Sequence, residues 1–208
     1  MKTYVYVDGF NLYYGSLKDS YYKWLDINAL ANNLLTHNTV EKIRYFTARV
    51  TPRFSGDTAN KRQWTYFKAL KTLPNLEIHE GHYLSHVTKM PTVQTKPNGR
   101  PKFVDVIKTE EKGSDVNLAS YLLLDAFKGN FECAVVISND SDLYTPIAMV
   151  KNEFRKPVGI LNPHINQSQK LKRVITFYKP IRSGSLAASQ FPPVIQTKQG
   201  QIIKPATW

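Results

Sequence analysis

Apolar residues along the chain fall into short β-branched or aromatic runs, and between them they recur at helical spacing. The run TYVYVD (3–8) stops at an Asp-Gly pair and reads as a buried strand. NLYYGSLKD then predicts a short helix with Asn11 near its cap, and DINALANNLLTH (26–37) a second helix with Asp26 as N-cap. KIRYFTARV (42–50) is a strand. DTANKRQWTYFKALKTL (57–73) is an amphipathic helix, with Trp64, Phe67 and Leu70 or Lys71 on one stripe, and NLEIHEG (75–81) is a further strand. SDVNLASYLLLDAFKG (114–129) returns to helix, with apolar positions 118, 122, 123 and 127 and a glycine stop at 129. CAVVIS (133–138), SDLYTPIAMVKNEF (141–154) and PVGIL (157–161) continue as strand, helix and strand, and VITFYK (174–179) offers a last short strand.

Two stretches depart from this alternation. In residues 82–111, KPNGRPK (96–102) is a strong turn signal between HYLSHVT and KFVDVIKT, which predicts a β-hairpin inserted into the α/β core. From Pro180 onward, small residues, prolines and a Lys-Gln-Gly turn give either a C-terminal arm with a small hairpin or a partly disordered tail. The expected organisation is one domain over 1–179, with the insert at about 82–111, and an arm or tail over 180–208. Strand and helix alternation of this kind builds a mainly parallel sheet covered by helices on both faces.

Composition narrows the function classes. The 208 residues, 42% hydrophobic and 21% charged, are ordinary for a globular chain. No apolar run approaches the roughly 20 residues of a membrane helix, and the N-terminus lacks a signal-peptide pattern, so no membrane partner and a cytoplasmic location are expected. Cys133 is the one cysteine, which excludes an internal disulfide. His79, His82 and His86 do not share one strand face, which argues against zinc. A net charge of +12 points to a polyanionic partner.

Ligands of open parallel sheets sit outside the carboxyl ends of the strands. Asp8 ends the first strand, and Asp140 and Asp142 follow the fourth; if the fourth joins the first on the side away from the second, all three emerge at one edge. A helix that feeds a parallel strand must start at that edge, which brings Asp115 there too. Each acid alone also suits a turn or a helix cap. Together they would repel one another unless a cation neutralises them. A hard divalent ion such as Mg²⁺ prefers oxygen ligands, and one or two such ions activate water for phosphoryl displacement.

The blocks YVYVDGFNLYYG, EKGSDVNLASYLLLDAF and AVVISNDSDLYTPI resemble the three signature blocks of the NYN domain family, a branch of the PIN-like nucleases. The resemblance runs from about residue 3 to 178. It implies a PIN-like three-layer α/β sandwich with strand order 3-2-1-4-5, and Mg²⁺- or Mn²⁺-dependent cleavage of RNA. Carried over by position, Asp8, Asp115, Asp140 and Asp142 would be the catalytic, metal-holding acids. Asn11 would orient a metal-bound water or a ligand, Lys112 would reach a phosphate, and Ser138 would hydrogen-bond a neighbouring carboxylate or serve as a turn hydroxyl. Many members carry another Asp where this chain has Tyr121, which leaves open one metal or two.

Lys89, Lys96, Arg100, Lys102 and Lys108 lie in the predicted hairpin, interleaved with Tyr83 and Phe103. Cations on phosphates and bases stacked on rings would suit single-stranded RNA, whereas a solvated edge whose lysines deter aggregation explains the same residues. The leading expectation is a metal-dependent endoribonuclease. The alternatives are a non-catalytic RNA-binding or partner-binding module, favoured by Tyr121, and a Toprim-like fold, against which the DGFN block argues. The oligomeric state is open, a homodimer included.

Overall fold

The first strand, β1 (Lys2–Asp8), is the spine from which the sheet grows in both directions. The computed structural model describes residues 1–52, 54–95 and 99–208. On one side β1 pairs in parallel with β2 (Thr39–Ala48), which pairs in parallel with the start of β3 (Leu76–Thr95). On the other side it pairs in parallel with β5 (Cys133–Ile137), followed by β6 (Val158–Asn162) and the edge strand β7 (Phe177–Pro180). β4 (Pro101–Lys112) returns antiparallel along β3, so the seven-stranded order is β4-β3-β2-β1-β5-β6-β7.

This corrects the expected order 3-2-1-4-5, which lacks a strand at each edge. The missing strand beside β3 has a simple origin. The expected insert is present as the antiparallel pairing of β3 with β4, and its first arm is continuous with a strand of the sheet: β3, 20 residues long in all, runs past its last pairing with β2 at Gly81, and β4 pairs with that overhang. The result is a two-stranded ribbon projecting from the sheet. At the opposite edge the VITFYK segment contributes β7.

Alternation along the central strands divides the core into two layers. Val5, Val7, Val135 and Ile137 face one side, packed with Trp24, Ile27, Leu30, Phe67 and Leu70. Tyr6, Ala134 and Val136 face the other, packed with Leu118, Leu122, Ile147 and Val150. Since both faces are covered, β5 and β6 are buried throughout, which is why their sequences are apolar up to the closing Asn162 of β6.

The first layer holds α1 (Gly9–Leu12), which widens into a π turn over Tyr13–Leu17, then α2 (Ile27–Leu34) and α3 (Ala59–Leu70). The second holds α4 (Ser114–Phe127), α5 (Tyr144–Asn152) and the short α6 (Gln169–Lys172). Asp26 caps α2 as expected, its carboxylate accepting the Ala29 N–H at 2.9 Å. In α3 the buried face is Tyr66, Phe67, Ala69 and Leu70, so Trp64 leaves the expected stripe and lies 42% exposed beneath the guanidinium of Arg49.

A buried ion pair ties α4 to the sheet. Asp125 accepts from Arg44 Nε at 2.8 Å, Tyr6 Oη at 2.8 Å and Asn130 Nδ2 at 2.9 Å, and these partners hold its carboxyl below the ordinary range against the opposing cost of burial. The C-terminal segment is ordered as α7 (Ser183–Ala187) and a hairpin of β8 (Val194–Thr197) and β9 (Gly200–Ile203). It is anchored by the buried Trp24, whose indole donates to Pro192 O at 2.9 Å, and by Trp208 against the rings of Trp24 and Tyr66. Among the described residues no helix is long and apolar enough to cross a membrane.

Candidate active site

The carboxyl ends of β1, β5 and β6 and the start of α4 surround one cleft of about 220 Å³. It is lined by Asp8, Phe10, Asn11, Tyr14, Glu111, Ser114, Asp115, Asp140 and His164. Three of the four expected acids therefore meet. Asp142 stands on the exposed rim, outside the lining, and its N–H donates to Asp140 Oδ1 at 2.9 Å.

Asp8 is the anchor. It caps α1 in place of the expected Asn11, accepting the Asn11 N–H at 2.9 Å on one oxygen and the Ser138 hydroxyl at 2.9 Å on the other. Ser138 Oγ in turn accepts the Asp140 backbone N–H at 3.1 Å, so one hydroxyl ties the Asp8 carboxylate to the main chain of the Asp140 turn. Asp8 is only 5% exposed. Burial first, then the charges of Asp115 and Asp140, outweigh its hydrogen bonds and push its carboxyl up to about 6.

Asp115 is exposed, and its carboxyl is still pushed up, by burial against the cleft and then by Asp140, Glu111 and Asp142. Gly113, at φ +100°, takes the left-handed conformation that turns β4 into α4 and sets Asp115 in the first helical turn. Gly9 is required for a different reason: a Cβ there would stand 2.8 Å from both the Phe46 carbonyl oxygen and the Tyr45 ring. The close approach of α1 to β2 thus explains the glycine after Asp8.

Asn11 braces the floor. Its Oδ1 accepts the Asn139 N–H at 2.9 Å and lies 3.1 Å from His164 Nε2, while Asn139 accepts the Ser168 N–H at 2.8 Å. The loops after β5 and β6 are thereby tied to one amide. Glu111 and His164 are site residues the sequence reading missed. Glu111 accepts from the Ser114 N–H at 3.0 Å and from its hydroxyl at 2.7 Å. His164 follows the end of β6, so the carboxyl-edge rule that found Asp140 applies equally to it.

The ribbon cations are arranged differently from expectation. Odd positions of β4 share a side with Tyr83, which meets Phe10 edge-on at 6.1 Å beside the cleft. Lys102, Lys108 and Lys112 are even and lie on the opposite side, where Lys108 and Lys112 pair with Glu110 at 2.7 and 3.3 Å. The rings of Tyr83 and Phe103 and these lysines therefore do not share one surface. Lys89 alone of the strand lysines is on the Tyr83 side, across from Asp105. Arg100 sits near the tip with an interaction of its own, and Lys96 lies outside the described residues.

Tyr121 does not face the cleft. Its ring packs on His79 with 4.2 Å between centroids and lies 4.6 Å from the Arg44 guanidinium, so nothing there replaces an acid. The charged donors at the cleft are carboxylates, the chemistry of a hard cation. Among the described residues no three His, Cys, Asp or Glu side chains form a ready cage for a metal ion. The cleft thus fits an ion that takes one or two carboxylates directly and keeps water for its other positions, as Mg²⁺ does.

Known proteins bear on this geometry. Over its whole length the chain is 31% identical to 75% of 6-hydroxy-3-succinoylpyridine 3-monooxygenase HspA from Pseudomonas putida. The crystal structure of a protein of unknown function from Vibrio parahaemolyticus superposes with a TM-score of 0.58 at 16% identity, covering 91% of this chain and 96% of that one, and shares the fold. The model of the NYN domain matches residues 2–180, spanning β1 with Asp8, α4 with Asp115 and the Asp140 turn, and the chain therefore belongs to the NYN domain family.

Proposed function

We propose that this chain is a metal-dependent endoribonuclease that cuts single-stranded RNA with water as nucleophile. Membership of the NYN family implies a nuclease-like function in general terms. The finer reading is carried by one observation: Asp8, Asp115 and Asp140, from three distant parts of the chain, line a single cleft, where burial first and then neighbouring negative charge push the carboxyls of Asp8 and Asp115 up.

One or two of Asp8, Asp115 and Asp140 would hold one Mg²⁺ or Mn²⁺ directly and the rest would reach it through its waters, with Asp142 adding negative charge from the rim. The bound ion supplies Lewis acidity at the phosphoryl oxygen and a water of lowered pKa. Ser138 ties the Asp8 carboxylate to the backbone of the Asp140 turn, and Asn11 with His164 fixes the wall against which the phosphate would rest. Tyr121 in place of a further acid favours one ion over two.

Labelled single-stranded RNA, incubated with and without Mg²⁺ or Mn²⁺, tests this reading with Asp8→Asn and Asp140→Asn as controls. Metal-dependent products lost in both variants support it. Binding without cleavage under every condition supports a non-catalytic RNA-binding module, and equal cleavage by both variants places the activity elsewhere. A second reading draws on the Pseudomonas relative, whose name assigns it chemistry on a small pyridine. Loss of 6-hydroxy-3-succinoylpyridine with dioxygen and a two-electron donor, without RNA cleavage, would establish that reading instead.

A further inference from the structure

A second cavity, of about 370 Å³, adjoins the acidic cleft at the same sheet edge. Phe10 and Tyr14 line both. They stand one helical turn apart on the segment after Asp8, so their rings form the partition between the two spaces. The second space is lined by aromatic side chains, Tyr13, Tyr45, Tyr66 and Trp208 among them. Tyr66 is locked in place by donating to Leu25 O at 2.8 Å, and Tyr13 and Tyr14 meet edge-on at 5.3 Å. Among the described residues Lys18, Lys23 and Arg62 stand at the same cavity, with Asp57 as the acid there. Its volume lies within the roughly 300–1,000 Å³ of small-ligand sites.

We propose that this cavity is a base-binding subsite, taking the nucleobase next to the phosphate held in the acidic cleft, with Lys18, Lys23 and Arg62 receiving the following phosphate. The proposal rests on the ribonuclease reading and deepens it. The chemistry is complementary at each step. A planar ring is matched by aromatic walls, on which any base can stack. The flanking phosphates need cations, which Lys18, Lys23 and Arg62 supply at this cavity, whereas the ribbon lysines at 102, 108 and 112 lie on the side away from the cleft. An ion in one chamber and a base in the next would hold the strand in a single direction across the partition of Phe10 and Tyr14.

Tyr14 is 55% exposed, so Tyr14→Ala removes a stacking face without opening the core. The test titrates the full chain, free of metal, with uridine and adenosine monophosphate, reading intrinsic fluorescence. It also measures binding of a short oligoribonucleotide to the Asp8→Asn variant, intact and with one abasic position moved along it. The expected result is nucleotide binding weakened roughly tenfold to a hundredfold by Tyr14→Ala and restored by Tyr14→Phe, as loss of one stacked base predicts. A single abasic position should weaken the oligonucleotide by a similar factor. Lys18→Ala should flatten the salt dependence.

RNA cleaved in a metal-dependent way but indifferent to base removal and to Tyr14→Ala overturns the subsite and leaves the nuclease reading standing. Nucleotides that bind through Tyr14 while no RNA is cut sink the nuclease reading alone. A free pyridine carboxylate that occupies the cavity and is not displaced by nucleotides overturns the subsite in favour of a small-molecule site.

Discussion

Replacing Asp8 by Asn should stabilise the metal-free protein near neutral pH, although Asp8 makes two good hydrogen bonds. The structure raises its carboxyl from 3.8 to about 6. Every tenfold gain in proton affinity on folding corresponds to about 1.4 kcal/mol, so holding Asp8 ionised in the folded chain costs about 3 kcal/mol once the pH is above both values. Below 3.8 the group is protonated in both states and costs nothing. Stability from this residue therefore rises as pH falls from above 6 towards 4, the opposite of an ion-paired carboxylate. Asparagine keeps the cap on Asn11 N–H, since Asn and Asp are comparable N-caps, and can donate to Ser138. Allowing about 1 kcal/mol for a weakened hydrogen bond leaves a net gain of about 2 kcal/mol at pH 8. Urea unfolding in EDTA at pH 5, 6, 7 and 8 measures it. The gain should shrink towards zero at pH 5, and added Mg²⁺ or Mn²⁺ should stabilise the parent more than the variant. A variant less stable than the parent at pH 8, or a difference that does not vary with pH, would refute the electrostatic reasoning.

The packing sets four further outcomes. Gly9→Ala should cost about 1–3 kcal/mol in chemical denaturation, because the new Cβ meets a backbone carbonyl that cannot move freely. Asp125→Ala should cost about 3–5 kcal/mol, since it removes two hydrogen bonds from the buried Arg44, which keeps its pair with the more exposed Glu77, and leaves the buried Tyr6 hydroxyl without its acceptor; the Asp125 pairing should add stability that is lost as pH falls below the usual carboxylate range, visible as a steeper acid limb in the parent. Trp24→Ala should cost about 3–5 kcal/mol and expose residues 183–208 to limited proteolysis ahead of the domain. Lys108→Ala and Lys112→Ala, being on the ribbon side away from the cleft, should change RNA affinity at moderate salt less than Lys18→Ala does, read by anisotropy.

Much of the scaffold was legible because its signals are local. The apolar runs 133–137 and 157–161 mark strands buried on both faces, and Asp26 announced the start of α2 three residues before the amide it caps. The acids were legible by combining strand ends with the rule that parallel sheets bind at their carboxyl edge. Trp64 shows where local pattern misleads: spacing puts it on the apolar stripe, while the true buried face is chosen by what α3 packs against. Asn11 likewise has the residue type of a cap, yet Asp8 holds that position.

What the order of residues determined by itself was the set of elements and the edge at which Asp8, Asp115 and Asp140 would gather, because hydrophobic periodicity and chain direction are properties of neighbours. Only the tertiary structure decided which side of the ribbon carries its lysines. That parity depends on where β3 leaves β2, at Gly81, and a strand reverses every side chain with a shift of one residue. It alone decided the aromatic chamber, whose walls come from residues 10–14, from α3 and from Trp208, and it alone raised Asp8, since burial and the approach of distant charges exist only once the chain has folded.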